Sequence, residues 1–253
     1  MRVTFARVTR SEWIKFWSLR STVVTLGLAV VAFVGIGLIA SVAVDLSSAG
    51  DGPASPTDIS LSGSILVQLV LGTLGVLFMA GEYSTGMIRS TLTAVPRRLP
   101  VLWAKIGVFV AVSFVALLAS AFVTFLIGQA LIGANGASLS DPGVVRALFG
   151  TTGYLVGAGV MGLALGALLR STPGAITTFF GITFLLFTVV ELALPESWRD
   201  DVGRYIPSSA GSAMGAVVQA PDTLSPVAGA GVFLAYLVAL VGAGAWRLKH
   251  HDA

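Results

Sequence analysis

Six long apolar runs constrain the fold of this chain more than any other feature of its sequence. They cover residues 22–44, 59–80, 101–132, 144–169, 173–194 and 226–246. Each run reaches the roughly 20 residues that a helix needs to cross a bilayer. Because backbone polar groups in lipid must be satisfied within the segment, such runs predict helices. The expected fold is an all-α membrane protein with six transmembrane helices, forming a single domain over residues 1–253.

Charge is scarce along the chain, and this limits the classes of function that it can have. Asp, Glu, Lys and Arg make up 11% of the residues, against about 25% in a soluble domain. Almost the whole chain is therefore expected in or against the bilayer. The positive charges gather at the ends of the runs, so the basic balance predicts an orientation and no nucleic-acid partner.

Lys and Arg are distributed unevenly between the two sides of the predicted bundle. If the N-terminus is cytoplasmic, twelve of them fall inside and three fall outside, namely Arg146, Arg199 and Arg204. Short loops rich in Lys and Arg stay in the cytoplasm. The count predicts a multi-pass protein of the cell membrane with both its N- and C-termini cytoplasmic.

The N-terminal arm, residues 1–20, has the pattern of an amphipathic helix. Phe5, Trp13, Phe16 and Leu19 share one arc, which Glu12 interrupts. Aromatic residues beside basic ones are typical of a helix that lies on an anionic leaflet, with membrane lipid as its partner. The alternative is a simple anchor next to the first span.

Two segments on the predicted outer side are long enough to have structure of their own. Residues 45–58 are rich in Gly, Pro, Ser and Asp, which predicts a flexible loop. Residues 195–225 include a small, apolar stretch that is too short to cross the bilayer. It indicates an interfacial or re-entrant helix before the sixth span.

Residues 81–100 form a polar, basic interruption between the second and third runs. Ser84 or Thr85 can cap a helix, and Pro96 ends it. Apolar residues fall at helical spacing between them: Met87, Ile88 and Leu92. The pattern predicts a short amphipathic helix at the cytoplasmic membrane surface, suited to receive force from a soluble partner.

The charges of this segment suit a contact with a partner. Glu82 precedes the predicted helix, where a carboxylate is favourable, and can pair with Arg89 or with a base from the arm. Gly86 permits a sharp bend. Arg89, Arg97 and Arg98 can meet acidic residues on a partner. The alternative is that these charges only favour a helix end and fix the orientation.

Small residues recur along the fourth run. Gly153 and Gly157 form one GxxxG pair, and Gly162 and Gly166 form another. Such pairs let helices approach closely. They predict packing within the bundle or, alternatively, a face that pairs with a second copy.

The residues needed for most enzyme chemistry are missing from the sequence. The chain has no cysteine, and its histidines are His250 and His251. None of its lysines follows a glycine loop that could cradle phosphate. We therefore expect no catalytic site, no metal and no cofactor, and any ATP hydrolysis would belong to another chain.

The motifs EYSTGMIRSTL, at residues 82–92, and YIPSSAGSAM, at residues 205–214, resemble those of permease subunits of ABC-2 type transporters. The layout of arm, six spans and polar segment is also similar. The resemblance implies an exporter of an amphipathic substrate such as a drug, antibiotic, peptide or lipid. It implies two partners, which are a separate ATP-binding-cassette ATPase and a second permease, identical or homologous.

In that family the arm is a connecting helix, and the segment after the second span carries a coupling helix that docks on the ATPase. The resemblance also implies short external or re-entrant helices before the last span. By the same resemblance, the residues expected at the coupling region are Glu82, Tyr83, Gly86, Arg89 and Leu92.

Two other classes of function remain open at this stage. A stand-alone secondary transporter or channel would place ionisable groups near mid-membrane. The polar residues expected there are Gln68 and Gln129, whereas Lys105, Arg146 and Glu191 lie near span ends. A structural or assembly protein also fits the composition but leaves residues 81–105 unexplained.

Overall fold

The computed structural model of the chain describes residues 4–43, 55–84, 86–87 and 98–250. These residues are almost entirely helical, and no strand occurs among them. Six of the helices are long and apolar enough to cross a membrane. The predicted all-α fold with six candidate spans is therefore confirmed, and the chain is a multi-pass membrane protein.

Within the described residues the chain forms a series of α-helices. In chain order they are α1 (Phe5–Ser18), α2 (Arg20–Ala43), α3 (Pro56–Ser60), α4 (Ser64–Ser84), α5 (Arg98–Ile132), α6 (Val144–Leu169), α7 (Thr172–Phe180), α8 (Leu186–Ala193), α9 (Glu196–Gly203), α10 (Pro207–Ala213) and α11 (Pro226–His250). A π-helical turn, Gly181–Leu185, joins α7 to α8, and these three segments together form the fifth span.

Helix α6 lies at the centre of the bundle. Its apolar window is 83% buried, whereas that of α2 is 22% buried. The difference means that α6 is surrounded by protein, while α2 keeps a wide face for lipid. Helices α4 and α11 both pack along α6.

Glycines make the close approach to α6 possible. The α-carbon of Gly162 lies against the backbone of Gly72 on α4, where a Cβ atom would overlap the carbonyl oxygen. Gly157 faces the ring of Phe233 on α11, and Gly166 faces the backbone of Ala80. The predicted glycine face of the fourth span therefore meets two different helices within the same chain.

We expect Gly162→Ala to destabilise the protein more than Gly153→Ala does. The methyl group at position 162 would meet backbone that cannot rotate away, so α4 and α6 must separate, at a cost of roughly 1–3 kcal/mol. At position 153 the nearest atom is the flexible end of Met214, at 3.5 Å. Thermal unfolding of both variants in the same detergent measures the difference, and equal unfolding temperatures would contradict the packing role.

The second span begins later than the sequence suggested. Residues 56–60 form the separate helix α3, and α4 starts at Ser64. A capping box fixes the start of α3, since the side chains and backbone of Ser55 and Asp58 bond each other reciprocally. The end of the predicted flexible loop is thus ordered, whereas residues 45–54 lie outside the described residues.

The arm forms a helix, but its buried face includes only part of the predicted aromatic arc. Val8, Glu12 and Phe16 are buried at i, i+4 spacing, whereas Phe5 and Trp13 are about half exposed. Helix α1 packs along α5 through this buried stripe. The exposed aromatic side chains are left free to contact lipid, as an interfacial helix requires.

Two short helices lie between the fifth and sixth spans, where the resemblance implied short external or re-entrant helices. Helix α9 is polar, and α10 buries Ala210 and Gly211 against α11 and α6. Arg146 fastens the chain after α10, because its guanidinium donates to the carbonyl oxygens of Met214 at 3.3 Å and Ala216 at 2.8 Å.

Candidate functional site

Four charged side chains meet between α1, α4 and α5. Lys15 Nζ lies 2.8 Å from Glu12 Oε1 and 3.0 Å from Glu82 Oε1. Lys105 Nζ lies 2.7 Å from Glu12 Oε2 and 2.9 Å from Glu82 Oε1. We call these four residues the charge cluster. Each lysine bridges both carboxylates, so the cluster ties the arm to the second and third spans.

The cluster is buried, which is unusual for charged residues. The side chains of Glu12 and Lys105 are each 1% exposed, Glu82 is 6% exposed, and Lys15 is 21% exposed. Removing charges from water costs several kcal/mol per ion unless they are paired and hydrogen-bonded. Two positive and two negative groups cancel here, and each lysine donates to both acids.

Lys15 is the member nearest to solvent, and its pKa lies above its ordinary value. Burial acts to lower the pKa, but the neighbouring carboxylates of Glu12 and Glu82 more than offset that effect. The raised pKa means that the folded state favours the ammonium form. The resulting stabilisation is present at neutral pH and is lost only as the pH rises past the ordinary value for lysine.

Aromatic rings form the apolar wall of the cluster. The ammonium of Lys105 lies 4.2 Å from the ring centroid of Phe78, a cation–π distance. Phe78 also contacts Phe16 edge-on and lies beside Phe109. The rings cover the side of the cluster around Lys105, so a charge left unpaired on that side would face an apolar wall.

One acceptor in the cluster is not used. Glu82 Oε2 is buried and has no hydrogen-bond partner within the described part of the chain. Among these residues, moreover, no group of three metal-ligating side chains is found. The arrangement holds the last turns of α1 and α4 and the first turns of α5 in a fixed relation.

The predicted coupling residues fall in two groups. Glu82, Tyr83 and Gly86 are described, and they lie at the end of α4 beside the cluster. Arg89 and Leu92, together with the predicted amphipathic helix, lie outside the described residues. Ser84 is the last residue of α4, and its hydroxyl donates to the carbonyl oxygen of Gly81.

Gly86 and Tyr83 show how the chain leaves the second span. Gly86 has φ 72°, directly after α4 ends, a conformation that glycine adopts at little cost. The guanidinium of Arg170, between α6 and α7, lies 5.4 Å from the Tyr83 ring centroid and also reaches the carbonyl of Arg247. The end of α4, the connection between α6 and α7, and the end of α11 therefore lie at the same end of the bundle. The Lys and Arg count placed all three on the cytoplasmic side.

Sequence reasoning found half of the charge cluster. It placed Glu82 at the end of the second span and allowed it a base from the arm, which is Lys15. It treated Glu12 as a flaw in an apolar arc and Lys105 as a span-end charge. Both were signals of the same kind, because each is a charge in the register of a buried face. The structure shows that Lys105, expected only as a charge near a span end, is buried together with Glu12 and Glu82.

The two glutamines expected at mid-membrane are engaged in structural contacts. Gln129 Nε2 donates to Pro56 O at 2.9 Å and Ser60 Oγ at 2.8 Å, which fastens α3 to the end of α5. Gln129 therefore lies at the far end of the bundle from the charge cluster. Gln68 accepts a hydrogen bond from the hydroxyl of Tyr154.

No protein-family model matches the chain, and no curated protein matches it either. The functional conclusion therefore depends on the residues and contacts described above.

Proposed function

We propose that this chain is the membrane-spanning permease subunit of an ATP-driven exporter of the ABC-2 type. The observation that carries the proposal is the charge cluster. It joins the arm to the end of the second span and to the third span, on either side of residues 85–97. Force applied to that segment would move the arm and both spans together.

The packing of α4 supports transmission of this force across the membrane. Helix α4 begins at Ser64 and ends two residues after Glu82, a rise of roughly 30 Å at 1.5 Å per residue. It lies against α6 over most of that length, with glycines in direct backbone contact. A close-packed helix pair shifts as a unit, so movement at the cluster would be felt at the opposite end.

The energy for transport would come from a separate ATP-binding-cassette ATPase. The chain has no phosphate-cradling glycine loop followed by lysine, so we assign it no ATP hydrolysis of its own. The segment next to the cluster carries Arg89, Arg97 and Arg98. Acidic residues on the ATPase would complement them.

The rest of the assembly follows the same proposal. A second permease, identical or homologous, would complete the transport pathway, and an amphipathic cargo would leave through it. The protein would lie in the cell membrane with both termini cytoplasmic. The exposed aromatic side chains of α1 would contact lipid of the inner leaflet.

Purification from native membranes in mild detergent tests the function. We expect a P-loop ATPase to accompany the chain, and we expect the chain alone to hydrolyse no ATP. Reconstitution without any ATPase, under an imposed proton gradient, tests the alternative. Gradient-driven uptake of an amphiphilic dye by the isolated chain would overturn the proposal in favour of a secondary transporter, for which the buried carboxylates are the supporting observation.

The proposed orientation predicts which sites an impermeant thiol reagent can reach. The chain has no cysteine, so single cysteines can be introduced without background. We expect Ser140→Cys, in the exposed connection between α5 and α6, to react in intact cells. Ser171→Cys, exposed between α6 and α7, should react only after the membrane is opened. The reverse pattern would overturn the orientation.

A further inference from the structure

A cavity of about 410 Å³ lies beside α4 and α6, toward the end of the bundle opposite the charge cluster. Its walls come from α4, α6, the fifth span and α10. The volume is in the range of small-ligand sites, roughly 300–1,000 Å³. The polar side chains that line the cavity are uncharged, and they include Gln68, Tyr154, Thr183, Ser208, Ser209 and Ser212. Within the described residues, no Asp, Glu, Lys or Arg lines it.

The hydrogen bonds already made in the wall determine what it can offer a ligand. The hydroxyls of Thr183 and Ser212 donate to backbone carbonyls of Phe179 and Ser209, at 2.8 Å and 3.0 Å. Each keeps its oxygen lone pairs as acceptors. The carbonyl of Gln68 accepts from Tyr154, which leaves the Gln68 amide as a donor. The wall therefore presents both donors and acceptors but no ionised group.

The fifth span departs from a regular α-helix beside this cavity. The π-helical turn Gly181–Leu185 interrupts the α-helix, and Thr183 lies within the turn. Such turns are rare in proteins and occur frequently at functional sites. The turn interrupts the regular helix on the wall where Thr183 and Phe184 line the cavity.

Apolar side chains border the cavity on the face that would meet lipid. Ile65, Phe184 and Phe187 line it, and they are 63%, 39% and 45% exposed. A ligand held among the hydroxyls could therefore extend an apolar part past these three residues without leaving the bilayer.

We propose that this cavity binds the uncharged, hydroxyl-bearing headgroup of an amphiphile whose apolar tail lies against Ile65, Phe184 and Phe187. The inference rests on the proposed export function, since it names the chemical class of the cargo. The cavity offers no charge to balance an ionised headgroup, so such a group would give up hydration there without gaining an ion pair. A hydroxyl-rich headgroup, in contrast, can both donate to and accept from the wall.

Native mass spectrometry of the full chain in nanodiscs tests the proposal. The probes are a monoglucosyl diacylglycerol, a phosphatidylcholine and a phosphatidylglycerol with the same acyl chains. We expect the glucosyl lipid to remain bound at least ~10-fold more than either phospholipid, from two or three additional hydrogen bonds. Methyl glucoside, which lacks a tail, should compete only weakly.

Matched variants assign the binding to the cavity. Gln68→Leu combined with Thr183→Val should reduce retention of the glucosyl lipid ~10-fold. Thr177→Val is the control, because Thr177 lies on the same span and bonds its own helix in the same way, but outside the cavity. The circular dichroism spectrum and unfolding temperature of both variants show that the bundle is intact.

Three results would overturn the inference. They are equal retention of the three lipids, equal loss in the cavity and control variants, and binding of methyl glucoside as tight as that of the lipid. The measurement needs no ATPase and no transport. A negative result therefore leaves the proposed ATP-driven function standing, and failure to purify an ATPase leaves the binding result standing.

Discussion

Replacing Lys105 with methionine is expected to keep the folded protein from accumulating in the membrane. Lys105 is fully buried and bonds both Glu12 and Glu82. Methionine fills similar space but leaves the two carboxylates with Lys15 as the one remaining lysine of the cluster. Removing one member of a buried ion pair costs about 3–5 kcal/mol, a large part of the stability of an ordinary domain. Yield of monodisperse protein and its unfolding temperature measure the loss.

A second substitution separates lost charge balance from lost packing. The double variant Glu12→Leu/Lys105→Met removes one charge of each sign and leaves Lys15 bonded to Glu82 at 3.0 Å. We expect it to recover most of the stability lost in the single variant. Lys249→Met, at an exposed position near the end of α11, is the control and should be close to wild type. A double variant as unstable as Lys105→Met would contradict this explanation.

Releasing the arm from the cluster is expected to uncouple the protein while leaving it folded. The variant Glu12→Gln/Lys15→Gln retains the bond between Lys105 and Glu82, as well as the buried side chains of Val8 and Phe16. If the proposed function is correct and the cluster carries force, the effect of the chain on ATP hydrolysis by the proposed ATPase should fall about tenfold, within the usual range of coupling free energies. ATPase rates of the co-purified complex in nanodiscs give the measurement, and ATP-driven efflux of an amphiphilic dye gives a second readout.

The matched control removes an ion pair at the end of the bundle opposite the charge cluster. Asp201 on α9 and Arg204, the residue after that helix, are paired at 2.6 Å, and both are partly exposed. The variant Asp201→Asn/Arg204→Gln should leave ATP hydrolysis and efflux near wild type, since exposed pairs contribute little. Normal coupling in the arm variant, or equal loss in both variants, would show that force does not pass through the cluster.

Hydropathy alone predicted the spans because the membrane imposes one length and one composition on each of them. It failed at α3, since Ile59 and Leu61 continue the apolar pattern of the next helix. The capping box at Ser55 and Asp58 was a readable signal of a separate helix. The π-helical turn left no comparable signal, because an extra residue in a helix turn does not change the hydropathy of an apolar run.

The charge cluster could be predicted only in part because its members are far apart in sequence. Glu12 and Lys15 share one helix face at i, i+3 spacing, which is local information. Glu82 and Lys105 come from two other helices, and their meeting depends on how α4 and α5 pack. Each residue could be recognised in the sequence as a charged side chain among apolar ones. Only the tertiary structure shows that the four lie together in one site.

The distribution of the cluster along the chain has a consequence for biogenesis. Glu12 and Lys15 leave the ribosome first, Glu82 follows, and Lys105 comes last. An ionised side chain in an apolar helix raises the cost of inserting that helix into the bilayer. Until Lys105 arrives, Glu12 and Glu82 have Lys15 but lack the second lysine of the cluster. We therefore expect the first three spans to assemble together, and a chain stalled before residue 105 to expose an incomplete charge cluster to the quality-control machinery.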